Sequence, residues 1–161
     1  MPADITVRRA DLAEADLVGA LTERAYRVGG FASDAYAEVL RDGRSRVRDS
    51  IVLVAAADGA ITGTVTLALP GTPLAHLCRA DEAEVRMLAV DEAARGRGIA
   101  GRLMAACEAL ARDQGLAAMI LCTETRMLAA QRLYERRGYQ REPARDWQIR
   151  HVRLIAYRLP L

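Results

Sequence analysis

The stretch "VRMLAVDEAARGRGIAGRLM", Val85 to Met104, runs from a short apolar segment through an acidic break and an arginine-glycine loop into the opening of a helix. A strand that turns into a helix through small residues leaves backbone N–H groups unpaired at the helix start, where the helix carries partial positive charge. Phosphate oxygens approach such N–H groups closely when no side chain intervenes. Gly96 and Gly98 remove the obstructing side chains, Ala100 and Gly101 keep the first turn slim, and Arg95 and Arg97 add charge from the sides. Loop composition alone also fits a glycine-rich turn with solvated arginines, because an isolated glycine motif carries little specificity.

The kind of anion narrows by exclusion. All 23 basic residues are arginine, so a Walker A loop, which needs Gly-Lys-Ser/Thr, is absent. A dinucleotide fingerprint can be forced onto Gly96-Arg97-Gly98-Ile99-Ala100-Gly101. The strand feeding it would be the fourth of the chain, however, and no acidic residue ends a following strand at the required separation. What remains is a pyrophosphate carrier of another kind.

Working outward, hydrophobic periodicity predicts a mixed α/β domain. Ile5 to Ala10 alternates like a strand. Asp11 caps a helical stretch to about Arg27, with Leu12, Ala15, Leu17, Ala20, Leu21 and Ala25 on its apolar stripe. Gly29-Gly30 breaks it, and Ser33 or Asp34 caps a second short helix. "SIVLVAAADGAITGTVTLAL" is a hairpin around Asp58-Gly59, a pair that supplies the positive φ angles of a tight turn. Glu84 to Val90 reads as a strand, and Gly98 to about Gln114 as a helix with Ile99, Leu103, Ala106, Cys107 and Leu110 inward. "LAAMILCT" is a strand covered on both faces. Met127 to Arg137 is helical and closed by Gly138, and "IRHVRLIAYRLPL" ends the chain as one long strand. The predicted order is β-α-α-β-β-β-α-β-α-β-β, the last two strands separated by the loop "QREPARDWQ".

With 161 residues and no Pro/Gly/Ser-rich linker, residues 1–161 form one domain large enough for a real core. A formal charge of +2 argues against a nucleic-acid partner. The charged amino-terminal segment and the lack of a long apolar run argue against targeting to or across a membrane. Cys78, Cys107 and Cys122 are odd in number and widely spaced, which fits free thiols in a cytoplasmic protein. His76 and His151 lack metal-spaced partners, so no metal site is expected.

The same segment resembles the acyl-CoA-binding segment of the GCN5-related N-acetyltransferase (GNAT) family, whose loop signature is Q/R-x-x-G-x-G/A; Arg95-Gly96-Arg97-Gly98-Ile99-Ala100 matches it. A second family segment, A-x-x-L-Y-x-x-x-G-F/Y, is matched by Ala130, Leu133, Tyr134, Gly138 and Tyr139. The resemblance implies a central, mostly antiparallel twisted sheet with splayed strands four and five, flanked by about four helices. It implies acetyl-CoA as cofactor, its pantetheine arm along the main chain of Leu88, Ala89 and Val90 and its pyrophosphate on the N–H groups from Arg95 through Gly101. Many members place an asparagine where this chain has Met127; either Thr123 or Thr125 substitutes as polar partner or the contact is absent.

Carried onto this chain, the family's general acid falls on Tyr134 and a candidate base on Glu84, eleven positions before Arg95. Arg86, two residues on, shares the strand face of Glu84 and opposes any rise in its pKa, and water serves as base in members lacking such a carboxylate. Cys122 reads as a core thiol and not a nucleophile. The acceptor side gathers Tyr26, Phe31 and Tyr36 with Asp146 and Trp147, suited to a small amine through cation–π and charge contacts, or else packing helices on the sheet. The expectation is an N-acetyltransferase acting on a small-molecule amine or amino acid, with a homodimer as the assembly the resemblance implies. Protein N-terminal acetylation and a non-catalytic acyl-CoA-binding module are the alternatives.

Overall fold

The computed structural model describes residues 4–161. Asp58 and Gly59 take φ of 53° and 77°, so β2 (Ile51–Ala57) and β3 (Ala60–Ala68) turn through these two residues as the sequence requires. β1 (Ile5–Arg9) adds antiparallel to β2, and β4 (Glu82–Val90) antiparallel to β3. β5 (Ala118–Glu124) joins β4 in parallel, and β8 (Val152–Pro160) pairs antiparallel with β5. Two short strands, β6 (Gln140–Arg141) and β7 (Trp147–Ile149), both pair with β8. The expected single terminal strand is thus divided: Arg150, at φ 56°, turns the chain between β7 and β8.

One face of the sheet packs on α4 (Ile99–Asp113) and α5 (Leu128–Arg136), with Leu53, Val65, Val85 and Leu121 meeting Ile99, Leu103 and Met104. The other face carries α1 (Ala15–Val28), α2 (Asp34–Arg41) and α3 (Gly43–Asp49), with Val18 against Val52 and Val54. The fifth helix, α3, corrects the expectation of four. Its segment GRSRVRD has one apolar residue, so no stripe announces it; instead the Asp42 carboxylate accepts from the Ser45 N–H at 3.1 Å to cap it.

The inner face of α1 also departs from the expected stripe. Ala15 and Leu21 are buried, but Val18, Gly19 and Thr22 take the other inner positions while Leu12 and Leu17 are 63% and 62% exposed. The reason is a backbone-to-backbone contact that apolar counting cannot see. A Cβ on Gly19 would stand 2.0 Å from the Arg41 carbonyl oxygen, and one on Gly43 2.0 Å from that of Ala15. Arg46, 2% exposed, locks the corner by donating to the Val39 and Leu40 carbonyls at 2.9 and 2.8 Å, placing its cation at the end of α2.

Candidate active site

Parallel pairing of β4 with β5 is confined to Glu82–Glu84 against Ala118–Ile120. Beyond it the strands diverge. Met87, a non-glycine residue at φ 55°, accompanies a register shift against β3 between Thr64 and Thr66. Such a bulge bends its strand and increases its twist, and β5 meanwhile stays paired to β8 through Glu124. The edge of β4 from Val85 to Val90 is thereby left without a partner on the β5 side.

A cleft of about 670 Å³ opens there. Its floor is Leu88, Ala89 and Val90, its head the glycine loop and the start of α4, and its far wall Met127 to Ala130 with Leu133 on α5. Gly96 and Gly98 sit at φ 77° and 76° with nothing within 4 Å of where a Cβ would stand, so the loop is open to an approaching group. Among the described residues, the N–H groups of Gly96 to Gly101 donate to no protein acceptor, and the first helical bond of α4 is that of Arg102 to Gly98. The Arg95 N–H, expected to join this row, is spent on the Glu92 carbonyl at 3.3 Å. Arg95 lines the cleft together with Arg126 and Arg136 from the opposite side, whereas Arg97 is exposed and outside the lining.

Tyr134 stands on α5 behind Leu133, 6% exposed. Its ring stacks on Tyr139 at 5.8 Å and meets Tyr157 at 6.1 Å. The α5 terminus explains this placement. Gly138, at φ 93°, donates to Glu135 while the Tyr139 N–H donates to the Tyr134 carbonyl, a Schellman closure whose customary side-chain contact is here the Tyr134–Tyr139 stack. The Tyr139 hydroxyl in turn donates to Glu108, which Arg137 holds with two bonds of 2.9 and 2.7 Å. The Tyr134 hydroxyl makes no hydrogen bond among the described residues, and burial followed by the nearby Cys122 thiol pushes its pKa up, keeping the phenol protonated.

Glu84 is buried, and its Oε1 accepts from the Leu77 and Cys78 N–H groups at 2.6 and 2.9 Å. Its Oε2 makes no hydrogen bond among the described residues. Tyr26 and Phe31 form the α1 side of the cleft, and Tyr36 lies edge-on to Tyr26 at 6.1 Å. Phe31 meets the Arg126 guanidinium at 5.3 Å across the cleft mouth. Trp147 lies outside the cleft lining, on β7 beside Cys122, and Asp146 is taken up by Arg141 and the Ala156 N–H at 2.6 and 2.8 Å. Burial pushes the Cys122 thiol up, which disfavours thiolate. Thr123, one of the two threonines expected to stand in for the missing asparagine, is buried and donates to the sulfur of Met127, the residue at that asparagine's position, at 3.6 Å.

No motif position falls on Leu128, Ala129 or Arg136, which also wall the cleft. Ala130 and Leu133 were already fixed points of the second motif, and their spacing of one helix turn was the signal that this face of α5 looks into the cleft.

Comparison with known proteins agrees with this architecture. No curated protein sequence matches the chain. Coenzyme A-bound PaiA N-acetyltransferase from Thermoplasma acidophilum superposes with a TM-score of 0.74 at 15% identity, covering 95% of this chain and 98% of that one. YncA from Salmonella typhimurium, solved with its cofactor acetyl-CoA, gives 0.70 at 20% identity over 99% and 95% of the two chains. Ribosomal-protein-alanine N-acetyltransferase from Brucella melitensis gives 0.69 at 20% identity over 97% and 99%. The sequence model described as the Acetyltransferase (GNAT) family matches residues 20–139, and with the split sheet and open glycine loop in place, the chain belongs to that family.

Proposed function

We propose that the protein transfers an acetyl group from acetyl-CoA to a primary amine of a small molecule or amino acid, by direct attack while donor and acceptor are bound together. The observation that carries this reading is the union, among the described residues, of a row of N–H donors at Gly96–Gly101 that meet no protein acceptor with a β4 edge unpaired on the β5 side; Tyr134, its hydroxyl without a hydrogen bond among those residues, stands next to Leu133 of the cleft wall. The N–H row fits a diphosphate, and Arg95, Arg126 and Arg136 add positive charge around it. The main chain of Leu88 to Val90 fits an extended amide-bearing arm, which would pair with the strand edge as an added strand does.

Acetyl-CoA, when bound, supplies the activated thioester. The chain's own groups then have two proton tasks. Tyr134 gives its hydroxyl proton to the departing sulfur, a role its raised pKa suits once negative charge develops there. Glu84, with Oε1 fixed by two N–H groups, keeps Oε2 without a hydrogen bond among the described residues and takes the proton of the attacking amine on it, directly or through water. Tyr26, Phe31 and Tyr36 wall the acceptor side. A thiol-release screen of amines, polyamines, amino acids, aminoglycosides and short peptides tests the reading. Acetyl-CoA-dependent turnover of a small amine or amino acid supports it; strong acetyl-CoA binding without turnover of any acceptor would mark a binding module instead.

A further inference from the structure

The geometry points to Arg86 as an anchor for a carboxylate on the acceptor, which makes the acceptor an α-amino acid and not a simple amine or a peptide. The inference rests on the acetyl-transfer reading above and narrows it.

Arg86 lies on β4 immediately past the last pair shared with β5, at the point where the sheet splits. It faces the α1–α2 side with Glu84, two residues earlier on the same strand. Its side chain is half-buried, yet it makes no ion pair among the described residues; its polar contacts are Nη1 to the Leu74 carbonyl at 3.5 Å and to His76 Nδ1 at 3.4 Å, with the Tyr36 hydroxyl also within its hydrogen-bonding reach. Both are long for a cation, since charge-assisted bonds run about 2.7–2.9 Å. The other acids near the acceptor side are engaged elsewhere: Glu84 Oε1 by backbone N–H groups, Glu82 by Arg145 and Arg158, and Asp146 by Arg141.

On this face α1 packs over β4, and Tyr26 of α1 meets Tyr36 edge-on at 6.1 Å, while Arg86 itself lies outside the lining of the donor cleft. Burial pushes the Tyr26 and Tyr36 phenols and the Cys122 thiol above their ordinary values, and in each case the Arg86 charge pulls partway back. Tyr26 also lines the donor cleft. A half-desolvated guanidinium without a counter-ion gains most from a carboxylate. With Glu84 Oε2 for the ammonium end and Arg86 for the carboxylate end, about 6.6 Å of strand separates the two anchors, and the aromatic pair closes the side.

A matched acceptor series tests this: L-leucine, L-methionine and L-phenylalanine, each with its α-amide and its decarboxylated amine, plus leucyl and methionyl tripeptides. The wild-type protein is expected to use at least one acid with kcat/KM about 10- to 100-fold above its amide, the worth of one charge-assisted bond. Arg86→Met should raise KM for the acid by that factor with little change in kcat, so that acid and amide react alike; Arg86→Lys should recover part of the preference. Amides, amines or tripeptides used as well as or better than acids overturn the inference while acetyl transfer stands. No turnover of any acid also overturns it, and if acetyl-CoA in addition fails to bind by calorimetry, the acetyl-transfer reading falls with it.

Discussion

Replacing Gly98 with alanine separates folding from donor capture. Gly98 opens α4 at φ 76°, and nothing lies within 4 Å of where the new methyl would stand. The methyl meets no wall, so the folding cost is the left-handed strain of about 1–2 kcal/mol. Alanine has less unfolded-state freedom to lose, which offsets about 0.4–1 kcal/mol. A net loss of roughly 1 kcal/mol lowers the melting temperature by about 2–4 °C in a chain of this size. The same methyl occupies the space into which the unpaired N–H groups of Gly96–Gly101 open. Losing even one charge-assisted bond to a diphosphate, at about 1.5–3 kcal/mol, weakens acetyl-CoA binding about 10- to 150-fold. Calorimetric titration and thermal melting on the same preparation read both effects. An affinity within about threefold of the parent's would show that the N–H row is not the phosphate cradle.

Tyr134→Phe should lower kcat by about 100-fold or more, with acetyl-CoA affinity nearly unchanged, because a general acid is removed and the ring stack with Tyr139 stays; equal turnover in stopped-flow assays would take Tyr134 out of the chemistry. Glu82 is 0% exposed, and hydrogen bonds from Arg145 and Arg158, outweighing the opposing effect of burial, lower its carboxyl to about 2. Its stabilisation is therefore complete above the unfolded carboxylate's pKa of about 4.3 and is lost as pH falls toward 2. Glu82→Gln should flatten the denaturation-derived stability curve over that window, and a curve still as steep as the parent's would contradict the assignment. Gly43→Ala should destabilise the fold by about 2 kcal/mol or more, since its methyl would press on the Ala15 backbone; an unchanged denaturant midpoint would mean that α1 and α3 separate freely.

Most of the donor half of the site is legible in the sequence because small residues there do backbone work. Gly96, Gly98, Ala130, Leu133 and Gly138 each map to a positive φ, a cleft wall or a helix closure. The Asp58–Gly59 hairpin and the Ser33 cap, whose oxygen accepts from the Tyr36 N–H at 3.2 Å, are legible for the same reason: the side chain decides the local geometry. What hides are features set by distant partners. α3 depends on a buried arginine and on Gly43 set against the Ala15 backbone of α1, not on an apolar stripe. The Arg95 N–H is lost to a single 3-10 turn at Glu92–Ala94 that composition does not foretell. Asp146 and Trp147 suit the acceptor side by their chemistry, but their placement is set by distant partners: Arg141 claims the acid, and β7, paired to β8, sets Trp147 beside Cys122. Tertiary pairing, not local pattern, decides each of these.

The most direct test of the central claim is a crystal structure of the protein grown with coenzyme A. The account predicts the diphosphate on the N–H groups of Gly96–Gly101 and the pantetheine arm hydrogen-bonded along Leu88–Val90, with sulfur near the Tyr134 hydroxyl. Coenzyme A bound elsewhere, or a β4–β5 cleft that stays empty at saturating ligand, would contradict it.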